Sequence, residues 1–261
     1  MIKKTYLYLV LFFLYIPVAV LVIFSFNANR FGIQWGGFTI DWYIQLFRDR
    51  SIAQAVQNTL LIGILAASIA TIIGTVAAVS INNMKKNTRK IVLSISSLPV
   101  ATPDIVIGVS LMILYLWFFG VIGTGSFGFG TLLFSHIAFC IPYVILSILP
   151  RFKHMNPHIY EAAQDLGASP FSAFIKTVVP QLMPGIITGF LLAFTMSIDD
   201  FMVSFFTTGR GVNNISLVVF TMARRGVNPT INALSTVMLA VVMTLLLLVN
   251  LRDKSKLKGD I

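Results

Sequence analysis

Apolar residues along this 261-residue chain gather into six runs, each close to the length of a membrane-crossing helix. A helix rises about 1.5 Å per residue, so about 20 apolar residues cross the hydrocarbon layer. The runs are Leu7–Phe26, Thr59–Ile81, Ile91–Phe119 (interrupted), Thr131–Leu149, Leu182–Phe206 and Ala233–Leu251. We therefore predict an all-α, polytopic membrane protein in which six transmembrane helices form a single domain, residues 1–261.

The first two runs carry further signals. Lys3 and Lys4 precede the first run, as in a signal peptide, but the run is too long and no small-x-small cleavage site follows, so we expect a retained anchor. The second run has a small residue at every fourth position, namely Ala66, Ala70, Gly74 and Ala78. Helices in lipid associate through such smooth faces, so we expect this span to pack against protein.

A polar stretch, Asn156–Pro184, separates the fourth and fifth runs. The pair Asn156-Pro157 is typical of a helix start, and Gly167 can end that helix in the left-handed conformation. The pair Ser169-Pro170 repeats the start signal, and Pro180 is expected to close the second short helix. We therefore expect a rigid pair of short helices rather than a slack loop.

The first of these short helices presents two faces. Glu161 and Asp165 lie four residues apart on one side, and the other side is apolar through Ile159, Ala162, Ala163 and Leu166. Like charges at this spacing weakly destabilise a helix, so a basic partner surface would compensate them. A solvated face on an ordinary loop explains the same charges.

Composition agrees with a membrane location. Hydrophobic residues make up 57% of the chain and charged residues 11%, and the mean hydropathy is +0.88. A water-soluble chain of this size cannot bury that much apolar surface.

The basic residues predict an orientation. If both termini are cytoplasmic, 13 of the 19 Lys and Arg residues lie inside, as the positive-inside rule requires. These are Lys3, Lys4, Lys85, Lys86, Arg89, Lys90, Arg151, Lys153, Lys176, Arg252, Lys254, Lys256 and Lys258. Arg30, Arg48, Arg50, Arg210, Arg224 and Arg225 remain outside, and the last two fit the rule poorly. Topology and membrane lipid thus explain the net charge of +10 without a nucleic-acid partner.

Three carboxylates lie inside apolar runs, where ionisable side chains are costly and face a cavity or a partner. Asp104 follows two prolines in the third run, and Asp199 and Asp200 lie in the fifth. Counting the helix rise from Ile91 puts Asp104 roughly 20 Å in, at a depth comparable to the other two. Broken helices at this depth are common at transporter substrate sites. Adjacent helical residues point about 100° apart, so Asp199 and Asp200 cannot both face one cavity unless the helix unwinds. One of the two can have a structural role instead of a substrate role, for example by capping a broken helix.

These charges favour a cationic substrate with more than one positive charge. Trp42 and Tyr43, beside Asp41 near the expected outer mouth, could add cation–π contacts, although the interfacial aromatic belt also explains them. Asp104, Asp199, Asp200, Trp42 and Tyr43 are therefore the candidates for the substrate pathway.

Other motifs give no separate activity. Gly123–Gly128 spells G-x-G-x-x-G but lies between two spans with no strand before it, so dinucleotide binding is not predicted. The sequence contains no P-loop, no metal-ligand cluster and no nucleophile with a base. His136 is expected to be a hydrogen-bonded packing residue, and Cys140 is the single cysteine. We expect no enzymatic activity and no cofactor in this chain.

The polar stretch resembles a known signature. Glu161-Ala162-Ala163, followed by Gly167, Ile175 and Pro180, is similar to the EAA motif of permease subunits of binding-protein-dependent ABC importers. The resemblance implies the type I (MetI-like) permease fold, with a coupling loop at about residues 151–181 that docks into a groove on an ATPase subunit. It gives that role to Glu161, Ala162, Ala163, Asp165 and Gly167.

Within this family, the chain resembles the permease subunits for spermidine and putrescine. The similar segments are Leu98–Val106, Phe134–Cys140, Glu161–Pro180, Ser197–Phe201 and Arg30–Ile33. The resemblance implies polyamine import across the bacterial inner membrane by alternating access. It also implies four kinds of partner: a PotB-like permease subunit, a PotA-like ATPase dimer that binds ATP and Mg²⁺, a PotD-like extracytoplasmic polyamine-binding protein, and membrane lipid.

Two other functions stay open. A permease for another solute would share the EAA motif, and an ion-coupled secondary carrier would also place carboxylates in the membrane. A carrier would keep some transport after deletion of the loop around Glu161, whereas an ATP-driven permease would not. A purely structural membrane scaffold would explain the helices but leave the three aspartates without a role.

Overall fold

The structure, a computed structural model, describes residues 2–30, 34–156, 158–209, 211–224, 229–240 and 243–244. Its helices are α1 (Ile2–Phe24), α2 (Asp41–Arg48), α3 (Arg50–Asn82), α4 (Lys86–Ala101), α5 (Asp104–Ile122), α6 (Phe129–Ile148), α7 (Ile159–Asp165), α8 (Pro170–Ala173), α9 (Val179–Asp199), α10 (Met202–Thr207), α11 (Ile215–Arg224) and α12 (Pro229–Ala240). A 3₁₀ segment, Leu149–Lys153, follows α6, and a π-helical turn, Phe174–Val178, joins α8 to α9. Contacts divide the chain into two compact units, residues 1–53 with 218–261, and residues 54–217.

The first unit contains a tightly bonded loop between α1 and α2. The side chain of Asn27 accepts from the backbone N–H groups of Asn29 (3.1 Å) and Gly36 (2.8 Å) and donates to the carbonyl of Gln34 (2.9 Å). Trp42 of α2 donates its indole N–H to the carbonyl of Asn27 at 2.8 Å. These bonds satisfy a buried amide and fix the loop on α2.

Asp49 starts α3 and was not identified from the sequence. Its carboxylate accepts from the hydroxyl of Ser51 (2.8 Å), the N–H of Ser51 (2.8 Å) and the N–H of Ile52 (3.4 Å). The hydroxyl bond from Ser51 is the largest influence and lowers the pKa of Asp49. Burial raises this pKa, the two N–H bonds lower it, and the net result is a pKa below the usual value. An aspartate just before an apolar run is a recognisable capping signal.

Small residues bring α3, α6 and α9 together in the core of the second unit. The alanines of the stripe predicted on α3 are fully buried. Gly74 of α3 lies so close to Val144 of α6 that a Cβ would come within 2.7 Å of that side chain, and Gly189 of α9 meets the same valine. The predicted packing of the second span against protein is therefore confirmed.

The third apolar run is two helices. Thr102 is extended, and Pro103 has no N–H with which to continue α4, so the chain restarts at Asp104. The predicted interruption is confirmed. Asp104 is the first residue of α5, which is itself long and apolar enough to cross a membrane, and its depth in the membrane stays a prediction.

The fifth run begins earlier than predicted. Pro170–Asp199 is one helical segment of 30 residues, so the prediction that Pro180 closes a short helix is wrong. A π-helical turn just before Pro180 shifts the hydrogen-bond register. Pro180 then lies in the first turn of α9, where a missing N–H is tolerated.

Five helices of the described chain are long and apolar enough to cross a membrane: Tyr6–Phe24, Arg50–Asn82, Asp104–Ile122, Phe129–Lys153 and Pro170–Asp199. The sixth predicted span begins within α12 and continues onto residues outside the described ranges. Phe31–Ile33, Pro157, Arg210, Arg225 and the basic residues after Leu251 also lie outside the described residues.

We predict that Gly108→Leu prevents the close packing of α5 on α10. A Cβ at Gly108 would lie 2.9 Å from both the carbonyl oxygen of Met202 and the ring of Phe206, and overpacking of this kind costs about 1–3 kcal/mol. The thermal unfolding midpoint of the purified protein in detergent should fall. Gly120→Leu is the control, since Gly120 is on the same helix and a Cβ added there would meet no atom within 4 Å. Equal midpoints for the two variants would contradict the prediction.

Candidate functional site

Two helix breaks lie together in the second unit. One precedes α5, and the other separates α9 from α10. Gly108 packs on the carbonyl of Met202 and so joins the starts of α5 and α10. Asp104 lies four residues, about one helical turn, before Gly108, and Asp199 lies three residues before Met202. The contact therefore brings these two carboxylates into the same region.

Asp104 and Asp199 are both exposed, but they lie at opposite ends of their helices. Asp104 is in the first turn of α5, where the helix dipole stabilises a negative charge. Asp199 is the last residue of α9, where the dipole and the terminal carbonyl groups disfavour one. A nearby cation would compensate Asp199 more than it would Asp104.

Asp200 has a different environment from its neighbour. It is 8% exposed, and its two carboxylate oxygens accept from the N–H groups of Val203 (3.1 Å) and Ser204 (2.7 Å) in the first turn of α10. This carboxylate caps a broken helix, which is the structural alternative that the sequence left open for one of the two aspartates. A substrate role for Asp200 stays a prediction, and its buried oxygens already have partners.

His136 of α6 connects both sides of the second break. Its Nδ1 lies 2.6 Å from the hydroxyl of Ser197 on α9, and its Nε2 lies 2.9 Å from the hydroxyl of Ser204 on α10. Nε2 is also 3.6 Å from the carboxylate of Asp200. The imidazole is 1% exposed and fully paired, so the predicted hydrogen-bonded packing histidine is confirmed.

Ser204 and Asn214 complete this polar cluster, and sequence reasoning missed both. The amide of Asn214 donates to the hydroxyl of Ser204 at 2.7 Å and accepts from the N–H of Leu217 at 3.0 Å. Serine and asparagine in or beside an apolar run give no signal beyond their polarity. Their importance follows only from the tertiary contact with α6.

An apolar cavity of about 360 Å³ lies beside the first break, between α4, α5 and α6. Thr102 and Val106, which flank Asp104 in the chain, both line it. The rest of the wall is Leu98, Pro99, Ile107, Ser110, Leu111, Ala138 and Phe139. The cavity offers mostly hydrocarbon surface with two hydroxyl groups.

Trp42 and Tyr43 belong to the first unit, where both support the loop after α1. Trp42 is 8% exposed, and its N–H is used by Asn27. The hydroxyl of Tyr43 lies 2.6 Å from that of Ser25, and its ring packs on Phe26 with centroids 5.0 Å apart. The structure gives both aromatic residues a packing role, and their contact with a cationic substrate stays a prediction.

The candidate coupling loop is built around α7. The predicted left-handed stop is present at Gly167, with φ at +87°. The N–H of Gly167 donates to the carbonyl of Gln164 (2.8 Å), and that of Ala168 donates to the carbonyl of Ala163 (3.1 Å), as in a Schellman motif. Ser169 caps α8 as predicted, accepting from the N–H of Ser172 at 3.4 Å.

The start of α7 was predicted incorrectly. The helix begins at Ile159, because the side chain of Asn156 accepts from the N–H of His158 (3.0 Å) in a turn before the helix. His158 then lies 3.2 Å from the carboxylate of Glu161, so this carboxylate has a hydrogen-bond partner on its own helix start. Both side chains of this pair are more than two-thirds exposed.

Large apolar side chains around the Gly167 turn face solvent. Leu166 is 89% exposed and Phe171 is 77% exposed. These two residues lie on either side of the turn, and the acidic Glu161 and Asp165 are also exposed on α7. Exposed apolar patches of this kind are typical of interaction sites.

Long apolar helices, two helix breaks at carboxylates and a projecting two-helix loop together define a helical permease of the membrane. Residues 70–252 match the family described as binding-protein-dependent transport system inner membrane component. The chain belongs to this family. It is the inner membrane component of a transport system rather than an enzyme, and the predicted class is confirmed.

Individual relatives agree with this family. The spermidine/putrescine transport system permease protein PotC of Escherichia coli K12 is 38% identical over 248 residues, covering 95% of this chain and 92% of PotC. The putrescine transport system permease protein PotI of the same strain is 39% identical over 233 residues, covering 88% and 83%. A chain of a bacterial alginate ABC transporter, crystallised with a pentasaccharide-bound periplasmic protein, superposes with a TM-score of 0.71 at 19% identity, covering 95% and 91%. This last likeness confirms the fold of an ABC importer permease.

We predict that Gly167→Val distorts the coupling loop and weakens its contact with the ATPase partner. A β-branched residue resists a φ of +87°, at a cost of about 1–2 kcal/mol. The fraction of ATPase subunit that co-purifies with the permease should fall several-fold. Gly130→Val is a suitable control, because Gly130 is exposed, lacks a positive φ and has free space around it. Wild-type co-purification of Gly167→Val would show that the turn is not needed for docking.

Proposed function

We propose that this chain is a permease subunit of an ATP-driven importer that carries polyamines such as spermidine and putrescine into the cytoplasm by alternating access. The observation that carries the proposal is the pair of exposed carboxylates, Asp104 and Asp199, at two helix breaks that lie together. Relatives named for spermidine/putrescine and putrescine transport, at 38% and 39% identity, support the same substrate class.

The chemistry of the region suits a polyamine. Such a molecule carries two or more ammonium groups joined by short methylene chains, so it needs separated anions with hydrocarbon between them. Asp199, at the negative end of α9, is the stronger attractor for an ammonium group. Asp104 offers a second anion, and the apolar cavity next to it offers a surface for methylene groups.

The coupling loop supplies the connection to ATP hydrolysis. In this proposal Leu166 and Phe171 enter a groove on a PotA-like ATPase, and Glu161 and Asp165 contact its rim. ATP and Mg²⁺ bind to that ATPase dimer and not to this chain. A PotB-like permease subunit and a PotD-like binding protein complete the importer.

The proposed orientation follows from this arrangement. The coupling loop must face the cytoplasm to reach an ATPase, and the basic residues Arg151 and Lys153 beside it agree with that side. Both termini are then cytoplasmic. The loop that contains α2 lies on the outer face of the inner membrane.

We predict that Asp104→Asn and Asp199→Asn each reduce polyamine uptake about ten- to a hundred-fold. A charge-assisted hydrogen bond contributes about 1.5–3 kcal/mol, and its loss in the rate-limiting transit slows uptake by that factor. The measurement is the initial rate of labelled spermidine uptake in a strain without other polyamine importers, at matched subunit levels.

Asp200→Asn serves as the comparison. An amide places an oxygen at only one of the two carboxylate-oxygen positions and an NH₂ donor at the other, so it cannot keep the bonds from Val203 and Ser204 as they stand, and this variant should lower the thermal stability of the purified complex. Normal uptake by both Asp104→Asn and Asp199→Asn would remove the argument for a cationic substrate. Loss of assembly in both would place these carboxylates at subunit contacts instead.

The orientation has its own test in a Cys140→Ser background. A cysteine introduced beside Lys86 or Lys153 should be protected from a membrane-impermeant thiol reagent in intact cells. A cysteine beside Arg48 or Asn213 should react, and all four should react after the cells are permeabilised. Reaction beside Lys153 in intact cells would place the coupling loop on the wrong side of the membrane.

A further inference from the structure

The residues on either side of Asp199 are both held by one buried side chain. Ser197, two positions earlier, has its hydroxyl 2.6 Å from Nδ1 of His136. Asp200, the next residue, has a carboxylate oxygen 3.6 Å from Nε2 of the same ring. Along the chain, the exposed Asp199 therefore lies between two residues that both contact the same imidazole on α6.

One arrangement of protons satisfies the whole cluster. Asn214 donates to the hydroxyl of Ser204, which can donate in turn to the carbonyl of Asp200 at 3.4 Å. Nε2–H of His136 then donates to the hydroxyl oxygen of Ser204, beside the Asp200 carboxylate, and Nδ1 accepts from the hydroxyl of Ser197. A carboxylate on the Nε2 side favours this tautomer. Each hydroxyl, the ring N–H and one N–H of the Asn214 amide then have an acceptor.

The bond from Ser197 is unusual for a hydroxyl on α9. Thr188 and Thr195 donate to the carbonyls four residues earlier, those of Pro184 and Leu191, so their hydroxyls remain on their own helix. Ser197 instead contacts α6. The last turn of α9 is thus tied to a neighbouring helix just before the chain leaves the helical path.

We infer that His136 is a positioning residue for Asp199: by holding Ser197 on α9, Ser204 on α10 and Asp200 between them, it sets where the break falls and where the Asp199 carboxylate points. The inference rests on the proposed function for the role of Asp199 in transport. The claim that His136 sets the position of the Asp199 carboxylate does not depend on the substrate.

Different substitutions of His136 test its contacts with Ser197 and with Ser204 separately. His136→Phe keeps the ring volume and removes both. Asn places its amide near the former Nδ1 and can keep the Ser197 contact, whereas Gln reaches the former Nε2 and can keep the contact with Ser204. Ser197→Ala is a milder variant. It removes the contact between Ser197 and Nδ1 of His136 by changing α9, and it does not alter α6.

The first measurement is the rate at which a cysteine in place of Asp199 reacts with a positively charged methanethiosulfonate, in the assembled importer and a Cys140→Ser background. His136→Phe and Ser197→Ala should change this rate at least fivefold, and Thr195→Val should not change it. A cysteine in place of Asp104 should react at the same rate in every variant.

The second measurement is spermidine uptake with Asp199 intact. We expect His136→Phe to raise KM about tenfold with a smaller change in the maximal rate, and His136→Asn or His136→Gln to restore part of the affinity. A general packing defect would instead lower the amount of assembled importer and the maximal rate.

Unchanged reactivity at position 199 in both His136→Phe and Ser197→Ala would overturn the inference. Equal changes at positions 104 and 199 would also overturn it, since they would indicate a general structural effect. If the importer with His136→Phe does not assemble, the reaction rate measured at position 199 in Ser197→Ala alone tests the inference. Normal uptake by Asp199→Asn would contradict the proposed function, while the reaction rates would still decide the positioning role.

Discussion

A chain that crosses hydrocarbon must satisfy its own backbone N–H and C=O groups, and this constraint explains the region around the two helix breaks. At the second break, the carboxylate of Asp200 accepts from the first free N–H groups of α10. At the first, the N–H of Thr102 bonds to the carbonyl of Leu98, and that of Val106 to the carbonyl of Pro103. Polar groups at these positions are thus first a requirement of the fold. Substrate chemistry can use the carboxylates that the backbone leaves free.

The second unit also contains a direct mechanical link between its two functional regions. Pro170–Asp199 is one helical segment of 30 residues, about 45 Å long, with α7 and the Gly167 turn before its first residue and Asp199 at its end. Gly189 and Val144 hold this segment against α6 at close range. Close-packed interiors transmit strain, so a displacement at the start of this segment would reach its end.

The sequence predicted the structure correctly wherever a few neighbouring residues determine it. Gly167 stops a helix, the small-residue stripe on α3 packs, and Pro103 interrupts the third run, because each depends on a few neighbouring residues. Local rules failed at Pro180, because a π-helical turn before it lets the helix continue through the proline. They also failed at Asn156, whose side chain forms a turn before the helix instead of capping it. The cluster of His136, Ser204 and Asn214 was not predictable as a unit. Its members are 68 and 10 residues apart in the chain, and only packing brings them together.

The two neighbouring aspartates show how a helix break divides chemical roles. On a continuous helix they would point about 100° apart and differ mainly in direction. Here Asp199 is the last residue of α9 and is exposed, whereas Asp200 lies between the two helices, buried and bonded to N–H groups of α10. A count of three carboxylates therefore overstates the negative charge available to a ligand, because α10 uses one of them. In the proposed function, the remaining two, Asp104 and Asp199, match the minimum of two ammonium groups that defines a polyamine. Any further positive charge on the substrate would need an anion from outside these three.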